Sequence, residues 1–139
     1  MSLSLSPYLN FAGNGREAMT YYQTVFGGEL QLFGYADFGI EGPADGLMHG
    51  HLQFQPGVSI SASDAMPGAE QTWGGTRVYC SLNGDDLATM QGWFEKLAAD
   101  GSVGMPLEKQ VWGDVYGLVM DKYGIEWMFN ITDPARWQG

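Results

Sequence analysis

The side chains best suited to chemistry lie on one predicted strand. His49 and His51 are the two histidines of the chain, and they alternate with apolar residues between Met48 and Phe54. Alternation places both imidazoles on one face of the strand, with about 6.5 to 7 Å between their backbones. Two imidazoles at this spacing can line a polar cavity, bind an anion when protonated, orient a carbonyl group or chelate a metal ion. Polar lining is the simpler interpretation, and chelation stays open.

Three further candidates lie later in the chain. Glu126 and Met128 are two residues apart on a predicted strand and therefore share a face. An unpaired guanidinium inside a cavity is costly, so Arg77 is expected to pair with Glu126 or to hold a carboxylate or phosphoryl group of a ligand. Glu126 is also the third donor that a metal site built on His49 and His51 would use.

Hydroxyl and aromatic side chains complete the candidate set. Ser61 lies on the polar side of a predicted strand. Trp112 and Tyr116 flank a predicted turn at Gly113, where aromatic rings can stack on a planar ligand, pack in a core or contact a second subunit. All three roles stay open for this pair. Cys80 shares a strand face with apolar neighbours and is predicted to be a buried thiol and not a nucleophile.

Composition limits the class of protein. The chain has 139 residues, of which 45% are hydrophobic, 14% aromatic and only 16% charged, which is typical of a globular domain and not of a disordered chain or a coiled coil. Six Lys and Arg against sixteen Asp and Glu give a formal charge of -10. That charge repels a phosphate backbone, so no nucleic-acid partner is expected.

Cysteine usage and hydropathy indicate the compartment. A single cysteine excludes an intrachain disulfide, which favours a reducing environment. No run of about 18 apolar residues predicts a membrane span, and no secretion signal is recognised. A cytoplasmic protein without a membrane partner is therefore expected.

The elements that position these residues follow one order twice, namely strand, helix and three strands. The predicted strands cover 5–11, 29–35, 48–55, 58–63, 76–83, 102–112, 115–120 and 125–131, and the predicted helices cover 14–26 and 85–99. A separation near seventy residues between the two sets indicates a duplicated unit. We expect a single domain, 1–139, with module one at about 5–64 and module two at about 75–132. Each module is too small to bury its own sheet face, so the sheets are expected to close on one another.

Local signals set several of these boundaries. Asn14 is predicted to cap the first helix, with Glu17 three residues later, and Gly27 and Gly28 are predicted to end it. Pro56 followed by Gly57 predicts the turn of a hairpin. The loop at 36–46 is long enough to suggest a lid.

At this point the sequence resembles a known family. It is similar over nearly its whole length to the PhnB-like branch of the vicinal oxygen chelate superfamily, which also holds glyoxalase I, bleomycin-binding proteins and fosfomycin-resistance enzymes. The matching residues are at 7–18, 22, 25–29, 48–49, 63–64, 112–114, 116–117, 121–124 and 127–130. The resemblance implies an α+β fold of two βαβββ modules that form a cup-shaped mixed sheet, with the ligand inside the cup. It also implies a homodimer.

The same resemblance implies four positions for ligands to a divalent metal. Carried over to this sequence, they fall on Pro7, Ser61, Arg77 and Met128, and none of these is a conventional ligand for a hard divalent ion. The standard metal is therefore expected to be absent. The stretch around Trp112 and Tyr116 resembles one that contacts substrate in fosfomycin-resistance relatives.

A glycine pattern at 13–18 matches a dinucleotide fingerprint, but the chain is too short for a dinucleotide fold with a substrate domain. No cofactor and no catalytic residue are assigned. The expected function is binding of a small polar or anionic molecule by His49, His51, Ser61, Arg77, Trp112, Tyr116, Glu126 and Met128. One alternative is a metal-dependent isomerase, lyase or transferase with a shifted ligand set, and another is an antibiotic-binding or sequestration protein.

Overall fold

The order strand, helix, three strands occurs twice in the computed structural model, which describes residues 6–65 and 79–132. The first set consists of β1 (Tyr8–Phe11), α1 (Gly15–Phe26), β2 (Glu29–Phe33), a 3₁₀ turn (Ala36–Phe38), β3 (His49–Gln55) and β4 (Val58–Asp64). The second consists of β5 (Cys80–Gly84), α2 (Leu87–Ala99), β6 (Ser102–Lys109), β7 (Val115–Met120) and β8 (Glu126–Ile131). The chain divides into two units, residues 1–73 and 74–139. The predicted α+β fold of two βαβββ modules is confirmed.

Both sheets are mixed and have equivalent strand orders. The first sheet has the order β1-β4-β3-β2 and the second has β5-β8-β7-β6. In each sheet the first and last strands of the module pair in parallel, and the other neighbours are antiparallel. The parallel pair therefore sets residues from the beginning and the end of a module side by side.

Turn hydrogen bonds shorten two strands relative to the prediction. β2 ends at Phe33 because the Gly34 N–H donates to Asp37 Oδ2 at 2.7 Å and the 3₁₀ turn follows. β6 ends at Lys109 because Gly113, at φ 101°, donates its N–H to the Gln110 carbonyl at 2.9 Å. The early part of the strand predicted at 76–83 lies outside the described residues.

The helix of the first unit packs on one face of its sheet. Phe26 of α1 stacks on Phe54 of β3, with 4.5 Å between ring centroids and 18° between ring planes. Tyr22 of α1 contacts Phe11 of β1, with 6.4 Å between their ring centroids. The buried residues of α1 are Gly15, Ala18, Met19, Tyr22, Val25 and Phe26, so the helix presents an apolar face to the sheet.

The start of α1 is capped from another strand, which corrects the prediction for Asn14. Asn14 occupies the N-cap position, but its side chain makes no capping hydrogen bond. The Gly15 N–H donates instead to Asp64 Oδ1 at 2.7 Å, and the Leu47 N–H donates to Asp64 Oδ2 at 2.8 Å. A full carboxylate charge interacts better with the helix dipole than an amide oxygen does. Gly15 leaves room for it, since an added Cβ would lie 2.7 Å from Asp64 Oδ1.

The second helix is capped by its own residue. Asp86 accepts from the Thr89 hydroxyl at 2.8 Å and from the Thr89 N–H at 3.2 Å. These two bonds, the hydroxyl bond foremost, lower the pKa of Asp86. Beyond the helix, Gly101 packs so closely that an added Cβ would collide with the carbonyl of Met120. Glycine is therefore required where α2 turns into β6.

The hairpin predicted around Pro56 and Gly57 is confirmed. Its turn has Gly57 at φ 74°, a backbone conformation that residues with a Cβ atom rarely adopt. The turn sets the register of the two arms, so that His51 lies opposite Ser61 and Leu52 opposite Ile60. Polar and apolar residues are thereby sorted onto opposite faces of the sheet.

Candidate functional site

The face of the first sheet opposite α1 carries side chains from all four strands. The apolar face buries Leu9, Leu52 and Ile60, and alternation turns their neighbours to the other side. We call this other side the histidine face, and its central members are Tyr8, Gln31, Phe33, His49, His51 and Ser61. In register, Tyr8 lies beside Ser61, Ser61 beside His51 and His51 beside Gln31. The strands therefore bring together residues that are far apart in sequence.

His51 is held by a neighbouring hydroxyl. Its Nδ1 lies 3.0 Å from Ser61 Oγ. Ser61 is only 7% exposed, so little water competes for this hydrogen bond. The contact therefore fixes the orientation of the His51 ring through its Nδ1 atom.

His49 is held in the same way and is also flanked by aromatic rings. Its Nδ1 lies 3.1 Å from the Tyr8 hydroxyl, and the two ring centroids are 5.8 Å apart. Phe33 stacks on His49, with 6.4 Å between ring centroids and 16° between ring planes. Phe33 in turn contacts Phe38, with 5.8 Å between ring centroids. Tyr8 is 51% exposed, so this aromatic row is accessible at its β1 end.

Both imidazoles therefore have Nδ1 bonded to a hydroxyl. Neither Nε2 has a protein hydrogen-bond partner among residues 6–65 and 79–132. When the hydroxyl donates to Nδ1, the proton of the neutral ring is on Nε2, and when the ring is protonated the hydroxyl oxygen accepts. In these two states Nε2–H is a donor, whereas in the neutral tautomer with the proton on Nδ1 the Nε2 atom is an acceptor. The histidine face can thus offer two N–H groups to an oxygen acceptor.

The corresponding face of the second sheet is less polar at its centre. Met128 lies between Ser81 and Leu118 in register. Glu126 lies opposite Met120 and lines a cleft of about 250 Å³ with Tyr79, Val103 and other residues of this unit. The prediction that Glu126 and Met128 share a face is confirmed.

Trp112 and Tyr116 contact each other at the turn between β6 and β7. Their ring centroids are 5.9 Å apart at an interplanar angle of 70°. Asp114 Oδ2 accepts from Asn130 Nδ2 at 3.1 Å and so ties the turn to β8. Trp112 is nevertheless 50% exposed, and its contact with a ligand or a second subunit stays a prediction.

Arg77 lies outside the residues that the structure describes. Its pairing with Glu126, or with a ligand, therefore stays a prediction.

The residues at the metal-ligand positions implied by the resemblance do not fit a divalent ion. The Pro7 carbonyl accepts from the Ser61 N–H at 3.0 Å, and Tyr8, not Pro7, is the register partner of Ser61. Ser61 Oγ is engaged by His51, and Met128 offers only a thioether. Within the two described ranges, no group of three His, Cys, Asp or Glu is placed to hold a metal ion.

Tyr8 and Phe33 are members of the site that the sequence analysis did not select. Tyr8 alternates with the buried residues Leu9 and Phe11, and this pattern indicates its face. Phe33 reaches the site because its strand pairs with β3 so that Phe33 lies opposite His49. Alternation could have identified the face of both residues, but not their neighbours.

The thiol of Cys80 is expected to react about 100-fold more slowly in the folded protein than in the unfolded chain at pH 8. Cys80 is half-buried, less than the sequence predicts. This burial, and secondarily the charge of Asp121, raise the pKa of Cys80 from 9.0 to about 11, and two pKa units lower the thiolate fraction by about 100-fold. The raised pKa contributes to the free energy of unfolding below pH 9.0, and this contribution is lost as the pH rises towards about 11. Iodoacetamide labelling with and without urea measures the effect, since the chain has one cysteine. Equal rates in the two states would contradict it.

No helix in the described part of the chain is long and apolar enough to cross a membrane.

Comparisons with known proteins identify the family. The model of the Glyoxalase/Bleomycin resistance protein/Dioxygenase superfamily matches residues 5–129. Protein YjdN of Escherichia coli K12 is 32% identical over 144 residues, which cover 94% of this chain and 96% of YjdN. The crystal structure of protein PA1353 from Pseudomonas aeruginosa is similar with a TM-score of 0.81 and 34% identity, over 95% of this chain and 99% of that one. A PhnB protein from Bacillus cereus shares the fold, with a TM-score of 0.71 and 22% identity over 94% and 100% of the two chains. The chain belongs to the glyoxalase/bleomycin resistance protein/dioxygenase superfamily and has PhnB-like proteins among its structural neighbours.

Proposed function

We propose that the histidine face binds a small polar or anionic molecule through the Nε2 atoms of His49 and His51, without the standard divalent metal of the family. The observation that carries the proposal is that a protein hydroxyl engages Nδ1 of each ring, at 3.1 Å for His49 and 3.0 Å for His51. Each ring is thereby oriented, and its second nitrogen is left for a ligand. Two fixed donors on neighbouring positions suit a carbonyl, carboxylate or phosphoryl oxygen.

The charge of the protein limits which anion fits. The formal charge is -10, which favours cations at long range. Exposed charges are screened beyond about 8 Å at physiological ionic strength, so the nearby N–H donors decide binding at the face itself. A neutral polar molecule or a monoanion is therefore favoured over a multiply charged anion. The aromatic row from Tyr8 to Phe38 adds apolar contact for a planar part of the ligand.

Addition of benzoate or acetate, both monoanions, is expected to shift the NMR signals of both histidine Cε1–H groups with one common dissociation constant. The chain has two histidines, so both signals can be followed directly. His51→Gln is expected to weaken binding by about tenfold or more, because a flexible amide replaces an imidazole donor that Ser61 holds in place. His49→Gln should have a similar effect.

Gln55→Ala is the matched control, since Gln55 is exposed on the same strand as both histidines. It should leave the dissociation constant unchanged. Absence of saturable shifts with either anion, or equal weakening by Gln55→Ala and His51→Gln, would refute binding at this face.

A metal-dependent isomerase, lyase or transferase is the second candidate. It is favoured by the same Nδ1 contacts, since histidines that bind metals usually have their other nitrogen hydrogen-bonded. Addition of Zn²⁺ to the same NMR sample distinguishes the candidates: tight 1:1 binding that shifts both histidines and is weakened by His49→Gln supports the metal site. Anion shifts in metal-free protein support the first candidate.

The simplest form of the first candidate is a binding or sequestration protein, as in the antibiotic-binding branch of the same superfamily. Such a protein needs the donors and the aromatic row but no catalytic group. We propose further that it acts as a homodimer in the cytoplasm, without a nucleic-acid partner. Exposed apolar side chains support the dimer, and they lie along β6 and the following turn, at Val103, Met105, Val111 and Trp112. The acidic charge argues against nucleic acid.

A further inference from the structure

We propose a second binding site, for a zwitterionic α-amino acid or short peptide, in the loop between β2 and β3. This loop and the start of α1 line an open surface cavity of about 550 Å³ within the first unit. We call it the loop cavity, and its charged lining consists of Arg16, Asp37 and Glu41, with Ile40 and Pro43 among the apolar lining. None of these residues belongs to the histidine face, so the proposal is independent of the function proposed above.

The loop that forms the cavity packs around the side chain of its own Tyr35. The Tyr35 ring packs so closely on Gly42 and Gly46 that a Cβ added at either glycine would lie 2.6 or 2.7 Å from a ring atom. Backbone hydrogen bonds close the same loop, including Ile40 N–H to the Tyr35 carbonyl at 3.0 Å and Gly46 N–H to the Pro43 carbonyl at 3.0 Å. Loops packed in this way are ordered and frequently functional. The cavity is therefore formed before a ligand arrives.

Arg16 supplies the anion-binding group. Its guanidinium has one hydrogen bond to the described residues, from Nη2 to the Gly46 carbonyl at 3.4 Å, and no ion pair with them. Arginine has five N–H donors, so most of them are left for a ligand. Gly34 makes this position possible, since a Cβ there would lie 3.0 Å from Nη2. A carboxylate can bind such a guanidinium with two parallel hydrogen bonds.

Two carboxylates supply the cation-binding groups. Asp37 uses Oδ2 to accept from the Gly34 N–H, and Oδ1 has no hydrogen bond within the described part of the chain. Glu41 is exposed and makes no ion pair there. A Cβ at Gly34 would lie 3.7 Å from Asp37 Oδ2 as well as 3.0 Å from Arg16 Nη2. Opposite charges thus lie close together without pairing with each other.

This charge pattern selects the class of ligand. Two carboxylates repel a phosphate or a dicarboxylate, and one guanidinium repels a simple amine. An α-amino acid carries its carboxylate and its ammonium on one carbon, so it can meet Arg16 with one group and Asp37 or Glu41 with the other. An apolar side chain can contact Ile40 and Pro43. The cavity is large enough for a single amino acid or a dipeptide.

The test is titration of ¹⁵N-labelled protein with L-leucine and with the dipeptide Ala-Leu, followed by amide NMR shifts. We expect saturable shifts confined to amides of the loop at 34–46 and the start of α1 for at least one probe. Leucinamide lacks the carboxylate and N-acetylleucine lacks the ammonium, so each should bind at least tenfold more weakly than leucine. Arg16→Gln should weaken the better probe by at least tenfold.

Two further variants keep the result interpretable. Glu41→Gln changes an exposed side chain and should weaken binding severalfold without affecting folding. Lys109→Gln removes a positive charge from exposed β6 and should leave binding unchanged. No saturable shift with either probe would overturn the proposal, as would N-acetylleucine binding as tightly as leucine or Arg16→Gln binding like the parent chain. If Arg16→Gln does not fold, the proposal is tested by Glu41→Gln and by the binding of leucinamide and N-acetylleucine to the parent chain.

Discussion

Asp121→Ala is expected to lower the free energy of unfolding by about 3 to 5 kcal/mol, because it leaves one buried and two part-buried donors without their acceptor. Asp121 is 3% exposed. One carboxylate oxygen accepts from Trp127 Nε1 at 2.8 Å. The other accepts from the N–H groups of Tyr123 and Ile125 at 2.8 and 3.1 Å. The side chain thus holds the turn between β7 and β8 and anchors the buried Trp127 at the same time.

Urea unfolding followed by tryptophan fluorescence measures this effect. Asp121→Asn keeps one acceptor oxygen but directs an amide N–H at a donor. Its free energy of unfolding should therefore lie between those of Asp121→Ala and the parent chain. Asp85→Ala is the control, since Asp85 is exposed on the same unit and should change stability little. A loss below about 1 kcal/mol for Asp121→Ala, typical of surface positions, would show that the turn does not depend on the carboxylate.

Asp64→Ala is expected to cost about 2 to 4 kcal/mol, since both of its oxygens accept from backbone N–H groups. One bond caps α1 through Gly15, and the other fixes Leu47 at the end of the loop before β3. The carboxylate also interacts favourably with the positive end of the helix dipole. Its loss therefore weakens both the start of α1 and the loop before β3, which are held by the last residue of β4.

The measurement is again urea unfolding, with circular dichroism to follow helix content. Asp64→Asn should be milder, because one amide oxygen still accepts. Asp45→Ala removes an exposed carboxylate from the neighbouring loop and should have little effect. Stability of Asp64→Ala equal to that of Asp45→Ala would contradict the role assigned to the cap.

Asp64 and Asp121 also show why the resemblance predicted the fold better than the chemistry. Both residues belong to stretches that match the PhnB-like pattern, and both bind backbone N–H groups of their own fold. Such residues identify the family because the fold needs them. His51, which would bind a ligand, lies outside the matching stretches.

The elements were predictable because alternation and glycine positions are local signals. The cap of α1 was not, since Asp64 lies 49 residues from Gly15 and a capping pattern considers only adjacent positions. The candidate site was predictable in part for a similar reason. Alternation gave the shared face of His49, His51 and Ser61, whereas the contact of Tyr8 with His49 depends on the strand order of the folded sheet.

The parallel pairing of β1 with β4 has a consequence for the order in which the histidine face assembles. His51 and Ser61 are 10 residues apart and meet within one hairpin, whereas Tyr8 and His49 are 41 residues apart. Closing the longer loop costs about 1.2 kcal/mol more chain entropy. During synthesis, β1 also leaves the ribosome long before β4, the strand with which it pairs. The hairpin therefore orients His51 first, and Tyr8 reaches His49 only when the last strand of the module has emerged.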